Sequence, residues 1–277
     1  MAKKKNAAQR RAEMQAQKPK YKKAETKQEK PLQSAQKEMK SLGKPAAKLK
    51  DIDFSRDFTL RVELLSPLHL GSGQADVNVD AQVIHDRLGL PYFPGRRLKG
   101  LLYESGLEVA EMAELSKLPL LTKAELDSLF QRGTLGAVQL QIANLYLEEH
   151  EKMAGEWHYL EERYPELFRP EDVLESYTSL RYQTRIDPAT GTAADTSLHN
   201  MQVLDEGLVF SGTLGLKNGD LRSLSILALA VRNLTQAGLK RSRGFGRLAC
   251  TLEQGGRDVM QPLLKWAADE ARGGEAK

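Results

Sequence analysis

Residues 208–252, LVFSGTLGLKNGDLRSLSILALAVRNLTQAGLKRSRGFGRLACTL, hold a strand, a helix and a strand in one continuous run. Leu208, Phe210, Leu214 and Leu216 mark an extended segment, read together with Met201 and Val203 as a long strand or a hairpin turning at Gly207. Leu221, Leu224, Leu227, Ala228, Val231 and Leu234 recur at three- and four-residue spacing, which gathers them on one face of a helix that Gly238 closes. A last strand spans Leu248 to Leu252. Between helix and strand lies a basic glycine-rich loop, Lys240-Arg241-Ser242-Arg243-Gly244-Phe245-Gly246-Arg247.

The upstream half repeats this order. Phe58, Leu60, Val62 and Leu64 alternate with Thr59, Arg61 and Glu63, a period of two that predicts a half-buried strand. Pro67 ends it and the turn His69-Leu70-Gly71-Ser72-Gly73 follows. Ala81, Val83 and His85, and then Leu90 to Phe93, read as short extended pieces stopped by Pro94-Gly95. Leu98, Leu101, Leu102, Val109 and Met112 predict a helix from about Arg96 to Glu114. Thr122 and Glu125 form a capping box for a short helix ending near Arg132. Val138 to Leu147 predicts a strand with one irregularity, and Val259 to Arg272 a terminal helix. Strand, helix, strand hairpin, helix, strand is the α+β ferredoxin-like (RRM-like) plan, which many RNA-binding modules and many enzymes share and which by itself assigns no function.

The net charge of +4 is a sum of unlike parts. Met1 to Lys50 holds 16 basic and 4 acidic residues, a net of +12, so the remainder carries −8. The first fifty residues are rich in Lys, Gln and Ala with few large apolar side chains, too little to offset the ordering entropy of a fold. We expect a disordered basic tail over 1–50, either an RNA-contacting arm or a solubilising one, and a folded domain over 51–277. Within that domain, 148–178 holds 10 acidic residues against Lys152, Arg163 and Arg169. Its helical patterning, broken by Pro165 and Pro170, predicts an inserted helical hairpin on the surface.

Several classes are excluded or weakened. No run approaches the roughly 20 apolar residues of a membrane span and no secretory signal opens the chain, so a soluble cytoplasmic protein without membrane partners is expected. Cys250 is the only cysteine, which rules out an internal disulfide and cysteine-held zinc. The five histidines lack the spacing of a metal helix. The Gly71-Ser72-Gly73 turn has neither the Lys-Ser/Thr ending of a nucleotide P-loop nor the helix of a dinucleotide fingerprint.

Two segments carry anion-binding chemistry. In Lys240 to Arg247, glycines let a backbone approach a phosphate, arginines supply planar donors to its oxygens, and Phe245 can stack on a base or plug the core. In Pro94 to Gly100, Arg96, Arg97 and Lys99 stand at a helix start, where backbone amides already favour an anion. Each alone is also compatible with ordinary solvated basic residues.

These motifs, taken in order, resemble those of a known family. His69 to Gly73, then Val79-Asp80-Ala81-Gln82-Val83-Ile84, then Leu90-Pro91-Tyr92-Phe93-Pro94-Gly95-Arg96-Arg97-Leu98-Lys99-Gly100 are similar to the N-terminal signature of the repeat-associated mysterious protein (RAMP) superfamily of CRISPR systems. Arg185 to Ala193 and Ser242-Arg243-Gly244-Phe245-Gly246 resemble its middle and C-terminal signatures. The resemblance implies a guide-RNA-binding backbone subunit of a type III effector in antiviral defence. Its implied partners are guide RNA, target RNA and other effector subunits, including the large polymerase-like one. It implies RNA contacts at His69, Gly71, Gly73, Arg96, Arg97, Lys99 and Lys240 to Arg247. In relatives an aspartate cleaves the paired target RNA with a divalent metal such as Mg²⁺. Asp80 is the matching position, as catalytic residue and metal ligand, with Asp76 in reserve. Arg96-Arg97 stands where backbone subunits usually carry small hydroxyl residues, a variant more like the type III-D branch. Competing expectations are a scaffold with an inert Asp80, a guide-processing ribonuclease using His69 or His85, and a protein-interaction domain.

Overall fold

A computed structural model describes residues 46–73, 80–133, 138–184, 186, 191–192 and 198–273. The chain divides into two units, Met1–Gly43 and Lys44–Lys277, and the described residues all belong to the second. The basic segment up to Pro45, Asp76 and most of Arg185 to Ala193 lie outside the described residues.

Strand β1, Phe58–Leu64, follows its alternation: Phe58, Leu60, Val62 and Leu64 are all buried. After it come β2 (Tyr92–Phe93), helix α1 (Gly95–Leu115), helix α2 (Lys123–Phe130), β3 (Gln139–Ile142) and β4 (Leu145–Leu147). The acidic segment forms α3 (His150–Arg163) and α4 (Pro170–Glu175), followed by β5 (Thr178–Gln183) and β6 (His199–Leu204). Then β7 (Val209–Lys217), α5 (Leu221–Asn233), β8 (Leu248–Gln254), β9 (Arg257–Asp258) and α6 (Met260–Gly273) complete the described elements. The main sheet runs β2-β4-β7-β1-β8-β9, with β3 also on β7. Its pairings are antiparallel, with Val62 between Phe210 and Cys250. The order β4-β7-β1-β8 puts the first and third strands of the ferredoxin-like plan at the centre, the arrangement that two interleaved strand–helix–strand units require.

The two long helices of that plan, α1 and α5, pack on each other, with the buried Ser105 hydroxyl donating to the Ala230 carbonyl at 2.8 Å. Thr122 and Glu125 form the expected reciprocal capping box at the start of α2. The irregularity near residue 143 is a one-residue bulge. Ile142 lies opposite Leu214, but Tyr146 lies opposite Ser211, so β3 and β4 meet β7 one residue out of step. The bulge turns Asn144 so that its Oδ1 accepts the Gly95 amide at 3.0 Å. There α1 starts so close to the sheet that a Cβ on Gly95 would lie 2.4 Å from the Ile142 carbonyl oxygen.

Three expectations need correction. Gly207 does turn the chain, with φ of 85°, but β6 and β7 are not a hairpin: β6 pairs with β5 in a separate two-stranded sheet. Met201, Gln202, Val203 and Leu204 are all buried, so β6 is covered on both faces and shows no alternation to read. Gly238 does not close α5, which ends at Asn233; its φ of 77° serves the loop beyond. Ala81 to His85 forms only single bridges, Gly71 to Val83 and His85 to Pro91. Cys250 is buried on β8, and burial pushes its thiol up to about 12, which makes it a small core hydrophobe rather than a nucleophile. No described helix is long and apolar enough to cross a membrane.

Candidate nucleic-acid interface

The glycine turn after β1, the start of α1 and the basic loop before β8 are far apart in sequence and adjacent in the fold. Gly246, with φ of 75°, sits where the connection from α5 to β8 folds tightly on itself: a Cβ there would lie 1.9 Å from the Ala237 carbonyl oxygen. Its amide donates to the Pro67 carbonyl and its carbonyl accepts from the Ala237 amide, both at 2.8 Å. The Arg247 amide adds a bond to Ser66 Oγ at 2.9 Å. Gly238 lies against the same turn, where a Cβ would be 2.6 Å from the His69 carbonyl oxygen. The loop is therefore sewn to the end of β1 by backbone, which leaves its side chains free to face outward.

Arg241 to Arg243 makes one 3₁₀ turn between two left-handed residues, Lys240 and Gly244. Arg241, Ser242 and Arg243 are exposed. Neither arginine side chain has a hydrogen-bond or ion-pair partner among the described residues. Lys240 differs: its ammonium donates to Gln183 Oε1 on β5, and burial, then Arg243, hold it below the usual lysine range. Phe245 is half-buried, more plug than stacking platform. Arg247 is exposed.

The three basic residues at the start of α1 separate by role. Arg97 donates from Nη2 to the Gly71 carbonyl at 3.1 Å, which ties the helix to the glycine turn. Arg96 is exposed and lies outside the groove. Lys99 was expected at the anion site with them. Instead its Nζ donates inward to the Leu140 carbonyl on β3 at 2.9 Å, and burial, then Arg132, lower its affinity for a proton. Lying two residues past Arg97, about half a turn of helix, it is rotated toward the sheet.

Between these parts lies a groove of about 570 Å³. His69, Gly71 and Gly73 line it, with Asp80 to Gln82, Arg97 and Leu101 of α1, and Gly238 and Leu239. His69 is only 2% exposed and donates from Nδ1 to the Gln202 carbonyl at 2.6 Å, the tautomer that carbonyl requires. Burial, then Lys240 and Arg97, hold its pKa below the usual value against the pull of that carbonyl. A neutral, buried ring supports the turn from beneath, and a Cβ on Gly71 would meet its Nε2 at 2.8 Å. His85 lies outside the groove, its Nδ1 on the Asp86 carbonyl at 2.7 Å.

Asp80 is exposed on the groove wall. Its Oδ2 accepts the Asn200 amide at 2.8 Å, and its own amide donates to Asn200 Oδ1 at 2.8 Å. Among the described residues no cluster of three or more His, Cys, Asp or Glu could cage a metal ion. The groove holds one carboxylate, Asp80, and one guanidinium, Arg97, and the exposed arginines of the basic loop follow in the chain from its Leu239 wall, a surface suited to a polyanion whose backbone runs past a single acidic group.

The RAMP superfamily is matched over residues 61–249. This chain belongs to the RAMP superfamily. The matched span opens within β1 and closes within β8, so it encloses every part of the groove. Among solved structures, a chain of the Type III-B Cmr-beta complex bound to cognate target RNA is similar, with a TM-score of 0.52 at 11% identity, covering 72% of this chain and 98% of that one. A chain of the Type III-B Cmr-beta complex in the apo state has a TM-score of 0.51 at 12% identity, covering 73% and 99%. At such identity the likeness is one of fold. Comparison with curated proteins finds no match.

Sequence reasoning named the RAMP glycine turn, Arg97, Asp80 and the basic loop, and the fold brings these together. It missed Asn200, Gln202 and Gly238. Gly238 carried a signal, a glycine five residues past the helix end, misread as the helix stop. Asn200 and Gln202 carried none, because their roles rest on contacts 120 and 133 residues away.

Proposed function

We propose that the protein binds guide RNA as a backbone subunit of a type III CRISPR effector complex in antiviral defence. The observation that supports it is the meeting on one groove of the glycine turn, the start of α1 and Gly238–Leu239, the residues that lead into the basic loop, whose Arg241, Arg243 and Arg247 are exposed. Guanidinium groups that have no partner among the described residues need break no ion pair there to reach phosphates, and they release counterions when they bind. Neighbouring effector subunits, the large polymerase-like one included, and target RNA paired with the guide are the partners in this reading. The Cmr-beta fold matches, one of them from a complex holding target RNA, support it.

Cleavage of the paired target RNA at Asp80 is the second part of the proposal. In that step the ribose 2′-oxygen attacks the adjacent phosphorus in line with the departing 5′-oxygen. The O2′–P bond forms as the P–O5′ bond breaks, the 2′-hydroxyl proton passes to the Asp80 carboxylate, and the 5′-oxygen takes a proton from water. The products are a 2′,3′-cyclic phosphate and a 5′-hydroxyl. A divalent ion such as Mg²⁺ suits one carboxylate if RNA oxygens complete its shell. Asp80 would hold it, and the ion would supply charge neutralisation at the phosphate.

Coexpressed with a CRISPR array and the neighbouring subunits, the protein is expected to purify in a complex carrying discrete RNA of guide length, with a ratio of absorbance at 260 to 280 nm characteristic of nucleoprotein. An assembled complex free of RNA would contradict the reading.

A further inference from the structure

Asp80 is exposed, yet its carboxylate is not left to sample rotamers. The segment from Asp80 to Val83 lies along β6 by four hydrogen bonds. Two of them are the reciprocal pair between Asp80 and Asn200, each at 2.8 Å. The others run from the Gln202 amide to the Ala81 carbonyl and from the Val83 amide to Gln202 Oε1, each at 3.1 Å. The strand that grips this segment is itself fixed. Gln202 Nε2 donates to Thr178 Oγ1 at 2.9 Å, the Gln202 carbonyl takes the His69 bond, and Leu204 exchanges backbone bonds with Leu68 at 2.8 and 3.0 Å.

We infer that Asn200 is the positioning residue for Asp80: its side-chain oxygen fixes the Asp80 backbone while its backbone N–H fixes one carboxylate oxygen and leaves the other turned to RNA. This rests on the proposal that Asp80 acts on target RNA. Oδ1 of Asp80 has no hydrogen-bond partner among the described residues. One residue therefore sets the place and the orientation of the carboxylate, and the oxygen it does not use is the one available to the 2′-hydroxyl or to a shared ion. Side chains that hold a reacting group without touching substrate govern rate through geometry. The arrangement also couples Asp80 to the β5–β6 sheet, since any shift of β6 moves both bonds together.

The test uses the assembled effector complex with guide RNA and labelled target RNA, measuring target affinity and single-turnover cleavage separately. Asn200→Ala should slow cleavage about 10- to 100-fold with target affinity unchanged. Asn200→Asp, whose carboxylate oxygen accepts the same Asp80 amide, should recover most of the rate. Asp80→Ala is the reference. If it is inactive while Asn200→Ala cuts at the native rate, the positioning role is wrong and the cleavage proposal stands. If Asp80→Ala itself cuts normally, both fall. Equal losses of affinity and rate in Asn200→Ala, with no recovery in Asn200→Asp, would mark Asn200 as merely structural and overturn the inference.

Discussion

Replacing Asp80 by asparagine should abolish target-RNA cleavage, with a loss on the order of 10²-fold or more, while the protein folds and binds RNA as before. The substitution keeps the shape of the side chain. Its amide oxygen can still accept the Asn200 N–H that Asp80 Oδ2 accepts at 2.8 Å, and the backbone bond to Asn200 Oδ1 is untouched. Only the charge and the basic lone pair are lost. The variant therefore separates two roles that alanine would confuse. If Asp80 serves only to pin the 80–83 segment on β6, asparagine does that work and cleavage continues. If it receives the 2′-hydroxyl proton or holds an ion, cleavage stops. The measurement is single-turnover cleavage by the assembled complex, read at each cut site.

The second large effect is expected at Gly246. Alanine there meets the Ala237 carbonyl oxygen at 1.9 Å and must adopt a φ of 75°, which for a residue with a Cβ costs on the order of 1–3 kcal/mol before the clash is counted. Relief requires the loop to leave Pro67 and Ala237, losing both 2.8 Å bonds. We expect the thermal midpoint to fall by about 4–8 °C and RNA affinity to fall as far as when Arg243 and Arg247 are both removed. Gly244 is the control. Its φ is 84°, but a Cβ there meets nothing within 4 Å, so alanine should cost only the backbone strain, about 1–3 kcal/mol, with no clash added. Equal effects at the two glycines, followed by thermal melts and RNA binding, would show that the sewn loop is not what presents the arginines.

The legible parts of this protein are those where one face is buried and the other wet. β1 and α5 announced themselves by period, and the capping box at Thr122 by spacing, because each rests on residues close in sequence. β6 did not, since burial on both faces erases alternation. Its partner choice also depends on β5, which follows the acidic insertion rather than a tight turn. In the site, composition located the basic loop and the glycine turn but could not tell which cations remain available. Lys99 and Arg97 are two residues apart and look alike in sequence; one turns inward to the Leu140 carbonyl, and the other lines the groove while tied by one nitrogen to the Gly71 carbonyl. Asn200 was invisible for the same reason that it matters: it acts on a residue 120 positions away.

The central claim, that the basic loop beside the groove grips RNA, is tested most directly by equilibrium binding of single-stranded RNA to the full chain across a salt series, for the native protein and for the Arg243→Ala/Arg247→Ala double variant. The N-terminal basic segment is present in both, so its contribution cancels in the comparison. Each phosphate contact on a single strand contributes about −0.7 to the slope of log affinity against log salt. The account predicts tight binding at low salt for the native chain, and for the double variant a weaker affinity with a slope shallower by about 1.4. Identical affinity and slope for the two proteins would contradict it.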